Sequence, residues 1–327
     1  MADPTLLELS AQGPSATSAA PALRGKSPTR IALERLRSDK IALVCLAVVV
    51  FFVLVAIFAD LITRLTNTDL AFNIELVDDR TNLPTVGASL EHPFGLEPRT
   101  GRDLFAMWVL GARYTMLVAL GAACISTILG SVLGLVAGFL GGWVDRVICW
   151  VIDFLLSLPF LLLAIAIAPV IATYLQDASS ETQSQIRLVT LVAILAVFGW
   201  TTLARLIRGE VLSLREREFV LAARAIGVPT RQILFRELLP NLTGPIIVSL
   251  SLSFPAYITA EAGLSFLGVG LIEPMPSWGR TIALARNYYS TYPEYLWQPV
   301  LAILVLVLAL NLLGDAVRDA FDPKTRR

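Results

Sequence analysis

A hydrocarbon layer about 30 Å thick is crossed by roughly 20 apolar residues in a helix, and this chain offers that length six times. The runs lie at 41–59, 114–144, 147–176, 188–204, 238–260 and 295–314. The second is too long for one upright span and too short for two, so it is expected to tilt or to lie partly along the interface. The third is interrupted only by Asp153, and the fifth continues past Glu261 to about residue 272. Lipid leaves an unpaired backbone unsatisfied, and the runs are far longer than barrel strands, so they are helices. The chain is 56% hydrophobic and 16% charged, against about a quarter charged in a soluble domain. The expected fold is therefore all-α and integral to a membrane, with six transmembrane helices.

An even number of spans puts both termini on one side. Cations identify that side as cytoplasmic. Arg24, Lys26, Arg30, Arg35, Arg37 and Lys40 precede the first run, Arg205 to Arg236 contribute seven arginines between the fourth and fifth, and Arg318, Lys324, Arg326 and Arg327 follow the sixth. The expected organisation is a disordered cytoplasmic tail at 1–39, an anchoring helix at 40–63, an outward segment at 64–104, a core at 105–316 with a cytoplasmic loop at 205–239, and a tail at 317–327. The apolar run begins late for a cleavable signal, so the first helix is expected to be an uncleaved anchor. Net charge is zero, which gives no footprint for nucleic acid. Cys45, Cys124 and Cys149 all lie in apolar runs, and His92 is the one histidine. Neither a disulfide framework nor a metal centre is expected; His92 reads as a loop hydrogen-bonding residue.

The cytoplasmic loop carries the most information. Residues 212–226 read as one helix, with Phe219, Ala222, Ala223 and Ile226 on one side and Arg215, Arg217, Glu218 and Arg224 around them. Gly227 supplies a left-handed terminator, Thr230 opens a second short helix through 238, and Pro240 and Asn241 lead into the fifth run. Patterning alone leaves two readings. The helix rests on lipid, as basic amphipathic helices do, or its flat small-residue face receives another surface.

The segment EFVLAARAIGVPTRQILFRELLPN at 218–241 resembles the coupling loop of permease subunits in bacterial ABC importers. Ala222, Ala223, Gly227, Leu239 and Pro240 fit that pattern; Leu221 stands where the family has Glu, and Glu237 where an apolar residue is common. Glu218, one turn earlier, could stand in for the missing carboxylate. HPFG at 92–95, GRD at 101–103, GAR at 111–113, GGWVD at 141–145 and SLREREF at 213–219 look like the dipeptide/oligopeptide/nickel branch. AEAGLSFLGVG at 260–270, PSWG at 276–279 and NLLGDAVRDAFDP at 311–323 continue the series. The ordered set spans about 35–325 and is similar to the second-type permease of a heterodimeric pair. The stretch 66–90 has no counterpart in that pattern.

The resemblance implies a type I importer permease fold with cytoplasmic coupling helices. It implies a pore-forming subunit that does no covalent chemistry, and partners that supply the rest: a homologous second permease, two ATPase subunits holding ATP and Mg, and an extracytoplasmic solute-binding protein. The solute it implies is a di- or oligopeptide, with nickel or another small solute as the alternative. Arg217, Glu218, Leu221, Ala222, Ala223, Gly227, Leu239 and Pro240 would face the ATPase. The GKS at 25–27 lacks the first P-loop glycine, with Ala20 in its place, and reads as a chance match.

Asp153 and Glu261 are the carboxylates within runs, where a charge faces a bundle interior or water. Asp153 either lines the pathway or sits at the hydrated cytoplasmic interface, and its early position favours the interface. Glu261, flanked by Ala260, Ala262 and Gly263, either lines the cavity or holds two helices together. Pro276 and Trp278 are candidates for contact with the binding protein; Tyr295 and Trp297 read as an interfacial aromatic belt. An ion-gradient transporter would favour paired carboxylates or inverted repeats, and the sequence has no evident repeat.

Overall fold

The computed structural model describes residues 34–175 and 177–321. The 1–33 portion of the tail, the GKS at 25–27 and the cations Lys324, Arg326 and Arg327 lie outside the described residues. Helix α1 (Lys40–Ile57) is capped by Asp39, whose side chain accepts from Ile41 N–H at 2.8 Å. Short α2 (Ala59–Leu65) follows at Phe58. Then come α3 (Leu104–Leu140), α4 (Gly142–Ser157), α5 (Phe160–Tyr174), α6 (Ser180–Leu214), α7 (Glu218–Ala225), α8 (Thr243–Phe266), α9 (Trp278–Ala285) and α10 (Glu294–Phe321).

Among the described residues, five helices are long and apolar enough to span a membrane, or six if the bent pair α4–α5 counts as one. That pair is where the third run differs from a plain span: the two helices meet at 82°. The cause is local. Leu158 precedes Pro159 and takes the extended conformation that proline imposes on its predecessor (φ −82°, ψ 130°). The second run, by contrast, is one unbroken helix of 37 residues. At 1.5 Å per residue it is about 55 Å long, well beyond the hydrocarbon thickness, so it tilts or projects.

Helices α3 and α6 form the most extensive pairing in the bundle. Gly130, Gly134 and Gly138 recur every four residues on the α3 face that meets α6. A Cβ on Gly134 would stand 2.5 Å from Ala204 O, and on Gly138 2.8 Å from Arg208 O. The absence of side chains brings the two backbones together, and close packing is what holds helices in lipid, where burial of apolar surface gives little net gain.

The stretch 66–90 folds back against the segment that leads into α3. It contains a turn of 3-10 helix (Ile74–Leu76) and a bridge between Val77 and Pro84. Asn73 Nδ2 donates to Gly101 O at 3.1 Å. A Cβ on Gly101, whose φ is +69°, would stand 2.2 Å from Asn73 O.

Candidate functional site

The loop after α6 is built as a seated cap with an exposed outer face. Helix α6 ends at Leu214, the chain turns through Arg215–Arg217, and α7 begins at Glu218. The expected single helix over 212–226 is therefore two. Backbone redirection at 215–217 lets α7 lie across the bundle end instead of extending α6. The terminator is as expected: Gly227 has φ +78°, Val228 N–H bonds Ala223 O and Gly227 N–H bonds Arg224 O, both at 3.0 Å. This is the Schellman arrangement that glycine favours at a helix C-terminus. The second segment starts after Pro229 and is irregular, with one α turn (Thr230–Gln232), a π stretch (Ile233–Leu238) and a last turn (Leu239–Asn241).

Val220 is fully buried. With Ile233, Leu234, Leu238 and Leu242 it packs on Phe139 of α3 and on Leu203, Ile207 and Val211 of α6. Polar contacts reinforce the seat. The Arg224 guanidinium lies 4.5 Å over the Phe139 ring, Arg215 Nη1 donates to Gly138 O at 3.2 Å, and Arg208 binds Asp145 through two hydrogen bonds of 2.5 and 2.7 Å. The opposite side of α7 is open. Arg217, Glu218, Phe219, Leu221, Ala222 and Ile226 are exposed, Ile226 to 80%. Ala223 and Leu239 are half-buried, and Pro240 is exposed. Glu218 is in the first turn of α7, where a carboxylate complements the helix dipole; Leu221 lies one turn on.

Asp153 pairs with Arg205 at 2.7 Å, and both side chains are more than half exposed. This joins α4 to α6 at the loop end of the bundle. Glu261 is fully buried in α8. Its Oε1 accepts from Ser265 Oγ at 2.6 Å, Oε2 has no hydrogen-bond partner, and the hydroxyls of Thr115 and Ser277 face the same carboxylate.

Pro276 and Trp278 are interior, not on an outer surface. The indole of Trp278 donates to Trp108 O at 2.9 Å, its backbone N–H donates to Thr115 Oγ1 at 3.3 Å, and its ring meets Phe52 edge-on at 5.6 Å. Small residues make the slot: a Cβ on Gly111 would lie 3.0 Å from the indole, and one on Gly279 2.5 Å from Ala262 O. The candidate contact with a binding protein is corrected accordingly: neither side chain is available to a partner in this conformation. Glu261 sits beside this slot, so its geometry is that of a packing residue. We expect Glu261→Gln, which keeps the hydrogen bond from Ser265, to preserve assembly. Glu261→Ala is expected to lower the thermal midpoint of the purified complex by several degrees, the effect of about 1–3 kcal/mol. A thermal-shift assay checks both.

Polar contacts at the other end of the bundle escaped the sequence reading where the partners, Tyr295 and Glu273, lie far along the chain from Glu97 and Arg102. Glu97 accepts from Arg102 Nε at 2.6 Å, from Tyr295 OH at 2.5 Å and from Thr100 Oγ1, while Arg102 Nη1 meets Glu273 at 2.8 Å. Tyr295 is thus buried and not part of a belt; Trp297 remains exposed. Arg113 binds both oxygens of Asp60 at 2.9 Å. His92 Nδ1 lies 2.8 Å from Asp103 Oδ2, which is the hydrogen-bonding role expected of it. Among the described residues no group of His, Cys, Asp and Glu is disposed to hold a metal.

Residues 130–327 match the family described as binding-protein-dependent transport system inner membrane component, and residues 27–84 match the N-terminal TM domain of oligopeptide transport permease C. The chain is 38% identical over 300 residues to the dipeptide transport system permease protein DppC of Alkalihalophilus pseudofirmus, covering 92% of this chain and 91% of the relative. It is 32% identical over 298 residues to the oligopeptide transport system permease protein OppC of Bacillus subtilis, covering 90% of each. In fold it is similar to a chain of the MetNI methionine ABC transporter in an inward-facing conformation (TM-score 0.51, 17% identity), covering 66% of this chain and 96% of that one.

Proposed function

This chain belongs to the binding-protein-dependent transport inner-membrane-component family, and we propose that it forms half of a peptide-translocating pore driven by separate ATPase subunits. It is a multi-pass inner-membrane permease subunit of the ABC importer class. In our reading both termini and the 205–239 loop are cytoplasmic, the second half of the pore is a homologous permease, and two ATPases dock beneath. A solute-binding protein delivers a di- or oligopeptide from outside. ATP is hydrolysed on the partners, and this chain supplies the moving wall.

One observation carries the coupling role. Helix α7 is anchored on one side by Val220 and Arg224 and open on the other at Glu218, Leu221, Ala222 and Ile226. A helix held this way transmits a push to α3 and α6. A ligand shifts a two-state bundle only through differential contacts, and the outer face of α7 is where an ATPase pair can make them.

The test is uptake of labelled dipeptide and oligopeptide by the reconstituted assembly. The expected result is uptake that needs ATP, both ATPases and the binding protein. Uptake driven by an imposed proton or sodium gradient without ATPases would overturn the reading. Within the active complex, Glu218→Ala is expected to slow transport about threefold to tenfold, the loss of one charge-assisted contact, with assembly retained. Normal transport by that variant would leave Leu221 as a position whose missing carboxylate has no substitute.

A further inference from the structure

A cavity of about 650 Å³ opens between α3, α6, α8 and the last turns of α10, within the range of small-ligand sites. It lies in the half of the bundle that ends at the coupling loop: α8 begins directly after that loop, and Arg318 closes α10 at the same end. Its walls are apolar apart from hydroxyls and one cation. Ser126 and Tyr257 are committed to each other, with Tyr257 OH donating at 2.7 Å. The Tyr257 ring reaches α6 only because residue 199 is glycine, where a Cβ would lie 1.8 Å from the phenol oxygen. Thr127, Thr202 and Ser249 line the same space and make no hydrogen bond to any described residue. Arg318 is exposed at its rim, and it too has no partner among the described residues.

Resting on the permease reading above, we propose that this cavity is the subunit's share of the translocation path: its free hydroxyls meet the substrate's peptide groups and Arg318 meets the terminal carboxylate. A hydroxyl both donates and accepts, so Thr127, Thr202 and Ser249 can pair with an amide N–H or C=O whatever side chain the peptide carries. Neutral hydrogen bonds are weak on balance against water, which lets the solute leave. No carboxylate lines the cavity itself. Arg318 presents a planar fork of donors matched to a carboxylate.

The experiment uses the full reconstituted complex and two tripeptides of one sequence, one with a free C-terminal carboxylate and one C-terminally amidated. Thr127→Val, Thr202→Val and Ser249→Ala are each expected to slow uptake of both peptides about fivefold, and the triple variant about 100-fold, the scale of one hydrogen bond per site. Thr202→Ser restores the rate. Arg318→Gln is expected to slow the free-carboxylate peptide about tenfold and to leave the amidated one unchanged. Wild-type uptake by the triple variant, or equal effects of Arg318→Gln on the two peptides, overturns the assignment while leaving the permease reading intact. Loss of assembly in the single valine variants, which conserve volume, would make the cavity a seat for the partner subunit and also overturn it. Absence of ATP-dependent uptake by the unmutated complex would instead overturn the permease reading itself.

Discussion

Gly134→Leu is expected to abolish recovery of the folded protein, whereas Gly209→Leu is not. Both glycines lie inside long helices, α3 and α6, so the change in helix propensity is the same and favours leucine by up to about 1 kcal/mol. They differ in what surrounds them. At Gly134 the new Cβ alone would stand 2.5 Å from Ala204 O and 2.9 Å from Ile207 Cβ; at Gly209 nothing lies within 4 Å. The first substitution forces α3 away from α6 along their glycine seam. Overpacking of this kind costs roughly 3 kcal/mol or more when backbone blocks the way, which lowers the folded fraction about 100-fold or more. Yield of monodisperse protein in detergent, compared across the pair, checks it. Equal yields would mean that the seam is not a structural constraint.

Ala222→Arg is expected to separate the ATPases from an otherwise intact permease. Ala222 is exposed on α7, so arginine costs the chain itself little; surface changes lie within about 0.5 kcal/mol. A large charged side chain on a flat face that must be approached closely removes a contact of hot-spot size, about 2–4 kcal/mol, or roughly 30- to 1,000-fold in affinity. The expected readout is loss of ATPase co-purification and of peptide-stimulated hydrolysis, with the thermal midpoint of the permease portion unchanged. Val220→Asp is the contrasting case. Val220 is fully buried in the seat of the loop, and an unpaired carboxylate there is costly. It should unseat α7 and lower both the midpoint and ATPase binding. If Ala222→Arg behaved like Val220→Asp, or like the unmutated chain, α7 would not be the docking face.

The spans were legible because lipid demands length and apolarity, and both are written directly in runs of residues. The loop was legible for a similar reason: Gly227 after an amphipathic stretch specifies its own left-handed turn. What escaped was set by partners distant in sequence. Pro159 was visible and explains the break at Leu158, but a break alone does not specify the 82° between α4 and α5. Arg208 reaches Asp145 and Arg205 reaches Asp153 across more than 50 residues. Trp278 was misread as a surface aromatic because Gly111, which makes room for its indole, stands in another segment. The stripe of Gly130, Gly134 and Gly138 lay in plain view, yet spacing alone does not name the helix it faces. The split of 212–226 into two helices was hidden because Arg215 to Arg217 are compatible with either conformation.

The glycine seam between α3 and α6 makes the pair behave as one stiff beam running the full depth of the bundle. Each member is about 50 Å long, and the loop is bolted to one end through Phe139, Ile207 and Val211. Rigid-body tilting then amplifies: a swing of roughly 5° about the loop end carries the far end through about 4 Å. A few degrees of tilt at the loop end is thus enough to shift the far wall of the bundle by about 4 Å, with neither helix having to bend.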